Sequence, residues 1–211
     1  MFNIVNEAVE NYAEQNTQAE GALLQELSAE TWRTMDHPQM LSGRLSGRLL
    51  KMLVQLTRAE KILEIGTFTG YTALSMAEAL GERGHLWTLE IEKVQADFAK
   101  RYFIRSEHGK KITLLLGPAL ENIKMVPDDL DFVFIDADKV NYDAYYEVSL
   151  QKLKRGGLIA IDNMLWSGRV LAPSDPSTLC IHALNEKLSR DERVENVLLT
   201  IRDGIQLVRK R

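Results

Sequence analysis

From Lys61 onward one pattern recurs: a short apolar run, a polar or glycine-rich break, then a stretch with apolar residues at helical spacing. The runs are "KILEIG", "HLWTLE", "KITLLLG", "DFVFID" and "GLIAIDN", and the helical stretches between them are 71–80, 92–105, 118–125 and 140–153. Runs this uniformly apolar suit strands covered on both faces, and their alternation with helices predicts a parallel sheet in an α/β fold. Ahead of them, residues 2–57 place Leu23, Leu24 and Leu27, then Leu45, Leu49, Leu53 and Leu56, at helical spacing, which predicts two or three N-terminal helices. The last 18 residues depart from the alternation. There "VENVLLTI" and "IQLVRK" flank Asp203-Gly204, a tight-turn pair, so the final strand is expected to run antiparallel to its neighbours.

Two places break the apolar pattern with polar chemistry. The first is "LEIGTFTGYTAL", a strand–loop–helix passage where open parallel sheets bind nucleotide-like ligands. Its glycines, Gly66 and Gly70, are spaced G-x-x-x-G, which fits neither the dinucleotide fingerprint nor a phosphate-cradling P-loop. Glu64 precedes the loop and Glu90 ends the second strand, where a carboxylate can accept hydrogen bonds from both hydroxyls of a ribose. The combination suggests an adenosine-bearing ligand without a phosphate, and S-adenosylmethionine fits. Taken alone, the same glycines also serve tight packing and the same acid also serves as a solvated strand end.

The second place is "DFVFIDADK", a buried strand that ends in Asp136, Asp138 and Lys139. Neighbouring parallel strands deliver their C-terminal residues to one edge, about 4.8 Å apart. If the strands "FIDAD" and "AIDN" are neighbours, Asp136, Asp162 and Asn163 converge. Two adjacent carboxylates repel, and a bound cation removes that cost. The hard oxygen donors favour Mg²⁺, Mn²⁺ or Ca²⁺ over Zn²⁺ or Cu²⁺. A helix cap or turn is the alternative use of either strand end by itself.

Composition narrows the classes. A length of 211 residues, 45% of them hydrophobic, suits one domain over 1–211, with a helical preface at 1–57 and an α/β core at 58–211. The formal charge of −4 argues against a nucleic-acid partner. Cys180 is the sole cysteine, which suits a reducing compartment. The N-terminal stretch has acids where a signal peptide has a basic region, and no run approaches the roughly 18 apolar residues of a membrane span. A soluble, cytoplasmic protein with no membrane partner is expected.

The motifs "EIGTFTGYTAL", "GPAL", "FIDADKVNYDAYY", "GGLIAIDNMLWSGRV" and "RDGI" occur in an order that resembles the cation-dependent class I O-methyltransferases, the group of caffeoyl-CoA and catechol O-methyltransferases. The resemblance implies a Rossmann-like, doubly wound seven-stranded sheet with an antiparallel last strand, and commonly a homodimer. It implies that Asp136, Asp162 and Asn163 bind the metal. Glu64, Gly66, Thr67, Thr72, Glu90, Ala119 and Asp138 would line the S-adenosylmethionine site, with Ser42 near its methionine end. Lys139 falls where catechol O-methyltransferase has its catalytic lysine, and it is expected to accept the acceptor's proton beside Asp136. Ser167 stands where plant members have a substrate-contacting Asn, and their N-terminal lysine has no counterpart here. Both differences tell against a CoA-ester acceptor.

The expected reaction is methyl transfer to one hydroxyl of a vicinal diphenol, a small aromatic diol. The loop 164–176 is expected to wall the acceptor pocket, with Trp166 as a flat apolar surface and with Arg169, Met40 and Tyr145 as further candidates. Two other functions compete. A short NAD(P)-dependent oxidoreductase would need the missing glycine pattern and usually a Tyr-x-x-x-Lys pair, which the chain lacks. A non-catalytic S-adenosylmethionine-binding module would not need the metal donors or Lys139.

Overall fold

The computed structural model describes residues 4–211, so residues 1–3 of the expected helical preface lie outside the described residues. Three helices come first: α1 (Glu7–Gln15), α2 (Ala22–Thr34) and α3 (Gly43–Thr57). The α/β part follows as β1 (Lys61–Ile65), α4 (Tyr71–Ala77), β2 (His85–Glu90), α5 (Lys93–Arg105), β3 (Ile112–Leu116), α6 (Ala119–Asn122), β4 (Leu130–Ile135), α7 (Tyr142–Lys152) and β5 (Leu153–Ile161). The chain closes with α8 (Pro176–Leu188), β6 (Val194–Leu199) and β7 (Ile205–Lys210).

The seven strands form one sheet in the order β3-β2-β1-β4-β5-β7-β6. The pairs among β1 to β5 are parallel, and β7 runs antiparallel to both β5 and β6, as the Asp203-Gly204 turn predicts. Strand β4 shows why a central strand needs an unbroken apolar sequence. Phe132 and Phe134 pack toward α2–α5, whereas Val133 and Ile135 pack toward α7 and α8, and all four are fully buried. A polar residue at any of them would lose hydration without gaining a partner.

One helix escapes the apolar pattern. The sequence assigns a loop to 164–176 and no element to 177–193, yet α8 fills most of that stretch. The signal is local chemistry: Asp175 caps the helix by accepting from the Thr178 amide at 3.2 Å, and Pro176 occupies the first turn. Its buried residues, Thr178, Ile181, Leu184 and Leu188, are spaced three and four apart but include a threonine, which weakens the apolar stripe. Among the described residues no helix is long and apolar enough to cross a membrane.

Candidate active site

The parallel strands end at one edge, and backbone bonds carry the register one residue past it. The Gly66 amide donates to Leu89 O at 3.0 Å, the Asp136 amide to Ile65 O at 2.9 Å, and the Asp162 amide to Ile135 O at 3.0 Å. Residues that are far apart in sequence therefore open side by side into a cavity of about 1110 Å³. Strands β4 and β5 are neighbours, which meets the condition for bringing Asp136 and Asp162 together.

Ser42, Gly66, Thr67, Thr72, Glu90, Ala119, Asp136, Asp138, Lys139, Asp162 and Asn163 all line this cavity. Met40, Tyr145, Trp166, Ser167 and Arg169 line it as well. Glu64 does not. It is fully buried beneath the glycine loop, because β1 turns its side chain inward before Gly66 opens the wall. Thr88 Oγ1 donates to Glu64 Oε2 at 2.5 Å, and having spent its proton there it accepts from Thr67 Oγ1 at 2.5 Å. Burial pushes the Glu64 carboxyl up to about 8. Glu64 thus anchors the loop from below.

The loop has little freedom. Gly66 has φ +99°, and a β-carbon there would lie 1.9 Å from the Asp136 carbonyl oxygen, so this close approach of β1 to β4 requires glycine. At the end of β2, Glu90 accepts from the Phe68 amide at 2.7 Å, from Ile91 at 2.8 Å and from Glu92 at 2.9 Å. Those amides hold both of its oxygens in place at the cavity wall.

Lys139 Nζ donates to Asp136 Oδ1 at 3.0 Å, to Ala137 O at 3.0 Å and to Tyr142 Oη at 2.5 Å. It also lies 4.6 Å from the Tyr142 ring centroid and 5.5 Å from that of Trp166. Asp138 accepts from Tyr145 Oη and from Asn141 Nδ2, both at 2.5 Å. Asp162 is buried, and its Oδ1 accepts from the Asn163 amide at 2.8 Å. Burial and the adjacent Asp136 push the Asp162 carboxyl up, which is the strain a cation between them would relieve. Asn163 adopts φ +60°, a left-handed conformation that Asn tolerates better than most residues. Among the described residues no group of three or more His, Cys, Asp or Glu side chains is placed to hold a metal, so the candidate donors are two carboxylates and one amide.

The O-methyltransferase family profile matches residues 13–211. The chain belongs to that family. This O-methyltransferase is 36% identical over 213 residues to "Probable caffeoyl-CoA O-methyltransferase 1" of Dictyostelium discoideum, covering 97% of this chain and 93% of the relative. It is 39% identical to "Catechol O-methyltransferase domain-containing protein 1" of Mus musculus, covering 84% of this chain and 71% of the relative. Among solved structures, the O-methyltransferase from Bacillus cereus, crystallised in complex with SAH, aligns with a TM-score of 0.88 at 29% identity, over 97% of each chain. The methyltransferase reading displaces the oxidoreductase alternative.

Three residues of the O-methyltransferase site escape the sequence reading. Tyr142 sits inside "VNYDAYY" and looks like a core aromatic, but its hydroxyl links Lys139 to the Asp162 carbonyl oxygen, to which it donates at 3.2 Å. Arg202 and Asp203 look like turn residues, yet both line the cavity. Asp203 accepts from the Ser167 amide and its own carbonyl accepts from the Leu165 amide at 2.9 Å, so the β6–β7 turn holds the loop after Asn163.

Proposed function

We propose that this O-methyltransferase moves a methyl group from S-adenosylmethionine to one hydroxyl of a vicinal diphenol with the help of a divalent cation. One observation carries the reading: Asp136, Asp162, Asn163 and Lys139 share one cavity with Gly66, Thr67 and Glu90. Charge-handling groups for the acceptor and a loop suited to an adenosine ligand therefore face the same space.

In this reading Glu90, fixed by its three amide donors, accepts from the ribose hydroxyls. Gly66 lets the cofactor approach the backbone, while Ser42, Thr72, Ala119 and Asp138 supply the remaining wall. S-adenosylmethionine supplies a methyl group on a cationic sulfur, which the acidic lining tolerates. Asp136, Asp162 and Asn163 would hold Mg²⁺, Mn²⁺ or Ca²⁺, and their all-oxygen chemistry fits such hard ions. A cation so held supplies positive charge that acidifies a neighbouring hydroxyl.

Lys139 accepts the acceptor's proton as a neutral amine, its ammonium having first passed a proton to water. Its ammonium group is kept in place by Tyr142 and Ala137, so a neutral amine formed there would already point at the reacting oxygen. Trp166 offers a flat wall to the aromatic ring, which would help hold the reacting oxygen in line with the methyl group. The reaction is tested by incubating the protein with isotopically labelled S-adenosylmethionine, Mg²⁺ and a panel of vicinal diphenols beside matched monophenols. Label should enter the diphenols alone; equal labelling of the monophenols would remove the chelating-diol requirement.

A further inference from the structure

Among the described residues, three cations line the cavity: Lys139, Arg169 and Arg202. Lys139 is paired with Asp136 at 3.0 Å and Arg169 is paired with Asp175. Among the described residues Arg202 has no such partner, although it is half-buried and lines the same cavity as Asp162 and Asp203. A guanidinium carries five donors in a planar fork suited to a carboxylate, and leaving it partly desolvated and unpaired is costly.

Two further observations show that the position is built around this side chain. Arg202 adopts φ +49°, a conformation that glycine or asparagine takes more readily in a turn. Across the cavity rim, Gly43 has φ +73°, and a β-carbon there would lie 2.7 Å from Arg202 Nη1. The start of α3 thus leaves open the space the guanidinium occupies. The charge of Arg202 is felt by Asp162 and Asp203, and among the described residues neither forms an ion pair with it. Asp203 in turn holds Ser167 in the acceptor loop.

We propose that Arg202 determines acceptor specificity by binding a carboxylate carried on the diphenol. The proposal rests on the methyltransferase reading above and narrows its substrate class to acidic vicinal diphenols. The methionine end of S-adenosylmethionine carries the same chemical group, and Gly43 adjoins Ser42, so the test must separate the two sources.

The probes are 3,4-dihydroxybenzoate and its uncharged analogue 4-methylcatechol, assayed on the wild-type protein, Arg202→Gln and Arg202→Lys with Mg²⁺ present. Arg202→Gln is expected to lose at least about tenfold in kcat/KM on 3,4-dihydroxybenzoate, through KM, and less than about threefold on 4-methylcatechol. Arg202→Lys, which keeps the charge and loses the fork, should fall between. The KM for S-adenosylmethionine should stay constant. Equal losses on both acceptors would show that Arg202 acts only through its field on Asp162 and Asp203, and a rise confined to the S-adenosylmethionine KM would assign it to the cofactor; either overturns the proposal, as does no change.

If the wild-type protein methylates neither probe, the vicinal-diphenol reading of this site fails separately, and calorimetric binding of the two probes still decides Arg202. A preference of about tenfold or more for 3,4-dihydroxybenzoate that Arg202→Gln abolishes upholds it, and equal affinities reject it. Thermal melts of both variants guard against a folding defect.

Discussion

Lys139 Nζ meets Tyr142 Oη at 2.5 Å, one helical turn along the chain, and the same hydroxyl donates to the Asp162 carbonyl oxygen at 3.2 Å. The phenol is fully buried, and burial together with the negative charge of Asp136 holds its proton well above the ordinary range for tyrosine. It is therefore a fixed neutral strut between the proposed base and the end of β5. Replacing it by phenylalanine keeps the ring and removes the strut. Tyr142→Phe should lower kcat by roughly tenfold, the scale of one hydrogen bond to a charged group, and leave the KM for S-adenosylmethionine within about twofold. Lys139→Ala should lower kcat further, with the same small effect on the cofactor. Steady-state kinetics with each reactant varied checks both, and parallel losses in cofactor binding would assign the pair to the fold.

Glu64 gives the protein a pH dependence independent of catalysis. Its carboxyl is raised from 4.5 in an ordinary setting to about 8 when buried. Below the lower value both folded and unfolded chains hold the proton and the stability is complete. As pH rises between the two values, the unfolded chain releases the proton and the folded chain keeps it, so stability falls through that window. Glu64→Gln has no proton to lose. Urea unfolding of the cofactor-free protein at pH 5 and pH 8 should show the variant gaining a few kcal/mol on the wild type at the higher pH. An identical difference at both pH values would contradict the buried, protonated carboxyl.

Gly66→Ala tests the close approach of β1 and β4. A methyl group 1.9 Å from a backbone carbonyl cannot be relieved by a rotamer change, and φ +99° adds backbone strain. The expected cost is about 3 kcal/mol or more, which for a chain of this length lowers Tm by roughly 6–12 °C. Cofactor binding should fall with it, because Gly66 lies on the cavity wall that the cofactor is proposed to approach. A thermal melt with and without S-adenosylmethionine measures both.

The sheet was legible because its strands carry apolar residues for two faces, as Phe132 to Ile135 do, and its reversal was legible in Asp203-Gly204. The convergence of Asp136 and Asp162 was legible too, since parallel neighbours deliver their ends to one edge. What escaped depends on contacts that no periodicity encodes. The α8 helix was marked by an Asp-Pro cap and not by a clean apolar stripe. Tyr142 and Arg202 each satisfied a bland local explanation, as core aromatic and turn residue. Glu64 belonged to the right loop, but the alternation of β1 turned it into the protein and away from the cavity.

Asp136, Asp162 and Asn163 are proposed to hold a cation the reaction needs. Methyl transfer to a vicinal diphenol should therefore be measured on protein treated with EDTA and dialysed, then with Mg²⁺ or Mn²⁺ restored. Activity should vanish with chelation and return with either ion, and Asp162→Ala, still folded by its melt, should not respond to the metal. Turnover that is unchanged in chelator would contradict the cation's role.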